Sequence, residues 1–178
     1  MQFKKLIFLG SLFLLFSYTA NAQLSKGSFL IGGTANGSLS LDSNVDGLQT
    51  NSFSWSLNPN TGYFFKDKLA AGLRINTGRG WTPVASSFYY NVSPFLRYYF
   101  LPQDKKWNLI GETSFAYGQL FTDDVTDKYI NLGFSAGPVF FIRPNLGLEM
   151  LINYNQNLQG QNRLRFNTSI GLQWYFNR

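Results

Sequence analysis

The chain contains no cysteine and no histidine, and only 13% of its 178 residues are charged. Each shortage excludes something. Without cysteine there is no disulfide, no lipidated cysteine anchor, no thiolate nucleophile and no Cys-based metal centre. Without histidine, the commonest general base and orienting group of hydrolytic sites is missing. A charge content well below the typical ~25% leaves too few charges to clothe an ordinary soluble surface. Beyond its amino-terminal segment the chain has no run of ~18 apolar residues, so a helical membrane span is excluded as well. The formal net charge of +6 includes Lys4 and Lys5 of the leader. No Arg/Lys stripe with interleaved aromatics follows, so nothing points to nucleic acid.

Aromatic residues, by contrast, are abundant at 18%. The chain opens with "MQFKKLIFLGSLFLLFSYTANAQ": a basic start, an apolar run from Leu6 to Phe16, and a small-residue end at Ala20-Asn21-Ala22. This is the layout of a secretory signal, and it predicts cleavage between Ala22 and Gln23. The apolar run is shorter than the ~20 residues of a spanning helix, which argues against a permanent anchor. Residues 1–22 are therefore read as signal and 23–178 as one domain. An exported, charge-poor, aromatic-rich chain with no spanning helix points to a transmembrane β-barrel.

From Ser28 onward the residues alternate with period two, the pattern of strands with two unlike faces. In "SFLIGGTANGSLSLD", Phe29, Ile31, Gly33, Ala35, Gly37, Leu39 and Leu41 share a face, opposite Gly32, Thr34, Asn36, Ser38 and Ser40. The pattern recurs at about 51–65, 69–78, 87–100, 107–121, 129–142, 146–156 and 164–176, which predicts an all-β, eight-stranded antiparallel up-and-down barrel. Eight is a common small count for such barrels.

A lipocalin-like soluble carrier would show the same period with the apolar face inward. Two features oppose that. The polar face is mostly Gly, Ser and Asn, where a soluble exterior would carry Lys and Glu. The apolar face holds Trp55, Trp107, Trp174 and many Phe and Tyr, too bulky for the interior of eight strands. The apolar face is thus expected to meet lipid and the polar face to fill the lumen.

Short turns are expected at Lys66-Asp67-Lys68, Leu101 to Lys106 and Arg143-Pro144-Asn145, and longer or more polar connections at Asp42 to Thr50, Gly78 to Ser86, Thr122 to Lys128 and Asn157 to Arg163. In membrane barrels short turns face the periplasm, which predicts both termini there and a cell outer-membrane location. The periplasmic side then carries Lys26, Lys66, Lys68, Lys105, Lys106, Arg143 and Arg178 against Asp67 and Asp104, and the outer loops Arg79, Lys128 and Arg163 against Asp42, Asp46, Asp123, Asp124 and Asp127. Aromatics crowd both boundaries: Tyr63, Phe65, Tyr98, Phe100, Trp107, Phe140, Trp174 and Phe176 below, Phe53, Trp55, Phe88, Tyr90, Tyr117, Tyr154 and Phe166 above. These are expected to be interfacial girdles.

Three segments repeat one order of features: "LNPNTGYFFKDKLAAGLRI", "VSPFLRYYFLPQDKKWNLIGE" and "AGPVFFIRPNLGLEMLINY" each run proline, aromatic pair, polar turn and Leu-rich alternation. With "QLSKGSFLIGGT", "SPFLRYYF" and "RPNLGLEMLINY", the mature chain resembles the outer-membrane β-barrel domain family common in Bacteroidetes-type, Gram-negative bacteria, similar in architecture to the OmpA transmembrane domain. The resemblance implies outer-membrane residence and insertion by the barrel-assembly machinery, and it carries no catalytic residues. Phe176 is followed by Asn177 and Arg178, whereas the family's terminal strand typically ends on the aromatic residue itself.

Five ionisable residues fall on the predicted interior: Arg74, Arg97, Glu112, Glu149 and Arg165. The first four lie near their strands' periplasmic ends and are expected in one layer, with Arg97 and Glu112 near diagonal register. Buried charges must pair, since an unpartnered one costs several kcal/mol, so the residues are read as an Arg/Glu network plugging the lumen. A selective gate in a narrow pore for ions or small solutes is the alternative, and a carboxylate pair in a lipid-modifying enzyme a further one. No catalytic, cofactor or metal site is assigned; Asp123, Asp124 and Asp127 in "FTDDVTDKY" lack the glycine and final Glu of a calcium loop and are read as solvated. Expected partners are outer-membrane lipid and lipopolysaccharide and the assembly machinery, with a monomeric barrel. Pro59, Pro94 and Pro138 fall inside strands, where each should remove a ladder hydrogen bond or force a bulge.

Overall fold

The computed structural model describes residues 24–40, 51–83, 85–122, 125–159 and 164–176. The signal segment, its Ala22-Gln23 junction, the connection from Asp42 to Thr50, and Asp123 and Asp124 lie outside the described residues. Eight strands run β1 (Phe29–Ser40), β2 (Ser52–Lys66), β3 (Leu69–Thr82), β4 (Ala85–Tyr99), β5 (Trp107–Thr122), β6 (Val125–Arg143), β7 (Leu146–Asn157) and β8 (Leu164–Phe176). Each pairs antiparallel with its sequence neighbours, and β8 returns to β1 to close the barrel. Closure leaves no open edge strand, the condition for crossing a bilayer with every main-chain group satisfied. The closing seam pairs Phe29 with Phe176 and runs to Ala35 opposite Ile170, so first and last strands start and finish at one end of the barrel, here the terminal end.

The alternating sequence lays bulky apolar groups on the outside. Among the described residues, thirty-one large apolar side chains are exposed, including Ile31, Leu73, Ile75, Leu96, Ile152, Ile170 and Leu172, against eleven hydrophobic residues that are buried. A water-soluble domain reverses that proportion. On β4 the outward aromatics Phe88 and Tyr98 are ten residues apart; at ~3.4 Å per residue and a tilt of ~40° they stand roughly 26 Å apart along the axis, the height of a membrane barrel's apolar band. Ring pairs mark both limits: across strands, Phe53 with Trp81 at 5.7 Å and Tyr90 with Phe121 at 5.9 Å near the far end and Phe29 with Tyr63 at 5.0 Å near the terminal end, and along one segment Tyr98 with Phe100 at 5.0 Å, also near the terminal end.

Two of the expected outer connections are corrected. Gly78 to Thr82 continue β3 up to Thr82 opposite Ala85, and Val125 to Lys128 continue β6 from Val125 opposite Thr122. Only two residues then join each pair of strands, and the Thr82 hydroxyl accepts from the Ala85 amide at 3.0 Å across the first turn. The physical reason is that ladder bonding needs no apolar face. Beyond the apolar band the alternation fades while the ladder continues.

The prolines interrupt the ladder without shifting it. Pro59 pairs with Gly33 on one side, but toward β3 the pairing passes from Leu57 opposite Thr77 to Asn60 opposite Arg74. Pro94 pairs with Leu73, and toward β5 the ladder passes from Val92 opposite Tyr117 to Phe95 opposite Ser114. Pro138 pairs with Leu109, and toward β7 it passes from Ala136 opposite Ile152 to Val139 opposite Glu149. Each proline thus drops two pairs toward its following strand, the side its missing N–H would serve, and the register resumes unchanged. The bulges lie elsewhere, at Phe64/Lys66 and Phe141/Arg143 beside the terminal-end turns. Pro94→Val should therefore be neutral or stabilise by up to about 1 kcal/mol as the missing bond forms. Urea unfolding in lipid vesicles reads this, and a loss above that size would mean that the proline's geometry is required.

Candidate functional site

Inward positions differ between the two halves of the barrel. Toward the far end the lumen is lined by small polar groups that bond to one another. Asn91 donates to the Tyr129 hydroxyl at 2.8 Å and accepts from Asn76. Asn153 donates to Asn167 at 2.9 Å and to Ser169 at 3.0 Å, and accepts from Ser135 at 2.8 Å. Toward the terminal end, charge and then aromatic rings fill the bore.

The charged layer is built around Arg97, which is fully buried. Arg97 and Glu112 stand directly opposite each other on β4 and β5, a tighter relation than the diagonal one expected from sequence. Arg97 Nε donates to Glu112 Oε2 at 2.8 Å, and Nη2 lies 2.8 Å from the same oxygen. Nη1 reaches across the lumen to Glu149 Oε1 on β7 at 2.7 Å. Arg74 on β3 adds a two-point contact to Glu112, Nη1 to Oε1 at 2.7 Å and Nη2 to Oε2 at 2.9 Å. Two cations and two anions are thus joined in a chain with no formal net charge, the arrangement that makes burial tolerable. Phe95 lies between the guanidiniums, with Arg74 5.1 Å and Arg97 5.5 Å from its ring centre, so its π faces also take up positive charge.

Tyrosines couple this layer to a floor beneath it. Arg97 Nη1 donates to the Tyr99 hydroxyl at 3.4 Å, the Tyr99 and Tyr175 hydroxyls are 3.1 Å apart, and Tyr175 donates to Glu149 at 3.4 Å. Their rings pack on Phe64, which lies 5.7 Å from Tyr99 and 6.4 Å from Tyr175. Leu24, Leu30, Ala70, Ile110 and Val139 complete an apolar cluster, with Phe141 packed against it. The segment before β1 is strapped under the barrel: the Leu24 carbonyl accepts from the Lys68 amide at 2.7 Å and from Gln103 Nε2 at 3.0 Å, and the Gly27 amide donates to Phe64 at 2.8 Å. The floor was not evident from the sequence pattern, although a signal existed. The polar face carries apolar and aromatic side chains close together near the terminal end, at Phe64, Ile110, Val139, Phe141 and Tyr175.

Of the five predicted interior residues, Arg74, Arg97, Glu112 and Glu149 come together, and Arg165 does not. Arg165 faces Asn155 at the far mouth and is exposed, because strand register places it ten residues from Tyr175. Asp127 pairs with Leu120 within the β5–β6 extension and is exposed. Among the described residues no group of three His, Cys, Asp or Glu side chains is gathered closely enough to hold a metal.

No protein-family model matches the chain, and no curated protein matches it by sequence. Solved structures do. Neisserial surface protein A superposes with a TM-score of 0.60 at 16% identity, over 85% of this chain and 98% of that one. The outer membrane protein OprG of Pseudomonas aeruginosa gives 0.59 at 14%, over 90% and 100%. The amino-terminal β-barrel domain of Pseudomonas aeruginosa OprF gives 0.56 at 12%, over 85% and 98%. At such low identity the likeness is one of fold: the chain is a closed eight-stranded antiparallel barrel similar to small outer-membrane barrels.

Proposed function

We propose that the protein is an integral outer-membrane barrel, monomeric and non-enzymatic, with both termini in the periplasm, a lumen closed to solutes, and a structural role in the envelope or an outer end that meets a partner. The single observation that carries this reading is the pairing of an apolar, aromatic-rimmed exterior with a bore filled by the Arg74–Glu112–Arg97–Glu149 chain and the floor below it. The exterior suits lipid, and its fold-level likeness to outer-membrane barrels agrees. Residence in a Bacteroidetes-type membrane, delivery by a cleaved signal, insertion by the barrel-assembly machinery and contact with lipopolysaccharide belong to the same reading. The two interior carboxylates are committed to guanidinium partners, which leaves neither disposed as an acid or base.

A narrow pore is the second reading, and one observation favours it. Asn60 Nδ2 and Oδ1, Arg74 Nε and Gln173 Oε1 are buried without a protein partner, and groups of this kind take water. Water reaching them would hydrate the lumen down to the charged layer, with the floor as the remaining barrier. Planar-bilayer recordings separate the two. The wild-type barrel should be electrically silent, and trimming the floor through Tyr99→Ala with Tyr175→Ala should produce discrete currents. Steady single-channel currents in the wild type that change on Glu112→Ala would replace the plug with a gate. Turnover of lipid A or peptide by the purified protein, lost in Glu112→Gln, would overturn the non-enzymatic assignment.

A further inference from the structure

The lipid-facing surface is mostly bulky, and one of the places where small residues interrupt it lies across β5 and β6. On one cross-strand rung, Tyr98 stands opposite Gly111, Gly111 opposite Ala136, and Ala136 opposite Ile152. Two adjacent strands, β5 and β6, therefore present a bare backbone and a single methyl outward side by side. The next rung sets Leu96, Thr113, Phe134 and Tyr154 above them. The result is a groove of about 610 Å³ walled by Tyr98 and Phe100 on one flank and by Phe134, Ile152 and Tyr154 on the other. The Phe100 ring leans over Gly111, where an added Cβ would come within 2.9 Å of it, and Tyr98 meets Phe100 edge-on at 89°. The flank is thus a fixed aromatic wall.

What lies beneath the groove is basic. Lys105 and Lys106 sit exposed in the β4–β5 turn, and the turn is pinned. The Asn108 side chain accepts from the Leu101 amide at 2.8 Å and donates to the Leu101 carbonyl at 3.0 Å, and the Lys106 carbonyl accepts from Phe141 of β6 at 2.9 Å. The ammonium groups therefore issue from a fixed base on the terminal-end side of the groove, with the Leu109–Pro138 and Trp107–Phe140 rungs between the two. Asp104 beside them lowers the local charge without cancelling it.

We propose that this groove holds one acyl chain of an anionic phospholipid of the periplasmic leaflet, with its phosphate on Lys105 and Lys106. The inference rests on the barrel spanning the outer membrane with its termini in the periplasm. An acyl chain fits the groove because it is largely apolar and opens sideways to lipid. An anionic headgroup fits because each lysine near an anionic phosphate contributes roughly five-fold in binding. The lysines set the preference among headgroups and the small-residue rung sets retention.

The test uses the full-length mature barrel in nanodiscs of mixed phosphatidylglycerol and phosphatidylethanolamine, followed by mild detergent release and native mass spectrometry. One retained phosphatidylglycerol per barrel, preferred several-fold over phosphatidylethanolamine, is expected. Ala136→Phe should abolish retention of both lipids, with folding checked by heat-modifiable gel migration. The paired variant Lys105→Gln with Lys106→Gln, at exposed positions, should keep retention and bring the preference to about one. Equal retention of both lipids by wild type, no retained lipid, or an unchanged Ala136→Phe would overturn the site while leaving membrane insertion intact. So would a dimer abolished by Ala136→Phe, which would assign the groove to a second copy. Failure of the wild-type barrel to enter nanodiscs would instead overturn the membrane reading itself, and the site with it.

Discussion

Arg97→Met should destabilise the barrel by about 3–5 kcal/mol, the largest loss expected from any single lumen substitution. Methionine fills similar space, so the loss reports charge more than volume. Arg97 is the shared cation: it contacts Glu112 at 2.8 Å and Glu149 at 2.7 Å. Glu112 would keep Arg74 at 2.7 Å. Glu149 has no second ion pair among the described residues; its other contacts are the neutral donors Tyr175 and Gln173, at 3.4 Å and 3.5 Å. The cost therefore centres on one buried carboxylate stranded without a cation, and adding Glu149→Gln should recover a large part of it. That predicted coupling, of the order of 0.5–3 kcal/mol, is the signature of a network. Arg165→Met, at an exposed position, should move stability by no more than ~0.5 kcal/mol. Urea titrations of the barrel in lipid vesicles, followed by tryptophan fluorescence, measure all of these. A loss below ~1 kcal/mol for Arg97→Met, or no recovery in the double variant, would show that the ion chain is incidental to folding.

The same network shows how far a sequence can be read here. A barrel wall separates two solvents, so every side chain inherits its face from parity, and Arg97 between Leu96 and Tyr98 is assigned inward by counting alone. Hairpin turns add register, which brings Arg97 and Glu112 to neighbouring strands. The reach of Arg97 to Glu149 was not legible, because β4 and β7 are not neighbours and their approach depends on how the closed barrel is sheared. Parity puts Arg165 inside, and its distance from the terminal end of β8 already sets it apart from the other four, which lie near their strands' terminal ends. The floor escaped for a different reason. A rule that expects polar residues inward treats Phe64, Ile110, Val139 and Tyr175 as exceptions, although their concentration beside the short turns marks the end where the bore is sealed. Proline placement was visible as a repeat, but which neighbouring strand loses its pairs follows from the direction of each missing N–H, a property of the folded ladder.

Gly72→Ala should cost about 1–3 kcal/mol, a large effect for one methyl group. Gly72 faces the lumen opposite Gly62, and this glycine pair is where the Phe95 ring, held between Arg74 and Arg97, comes to rest against the wall. A Cβ on Gly72 would fall 2.5 Å from Phe95 Cζ, 2.2 Å from the Thr61 carbonyl oxygen and 2.7 Å from Gly62 Cα. The ring can tilt away, but two of the three contacts are backbone, so the strands themselves must part. Phe95→Ala in the same chain should therefore recover only the ring's share of the loss, while removing its contact with both guanidiniums. Gly37→Ala is the control, because the nearest atom to a Cβ there is the Ser54 carbonyl oxygen at 4.0 Å, and its effect should stay within ~0.5 kcal/mol. If Gly72→Ala and Gly37→Ala prove equally mild in vesicle unfolding, the tight wall beside Phe95 yields more readily than its backbone contacts require. The ion chain would then owe its place to pairing alone rather than to the packing around it.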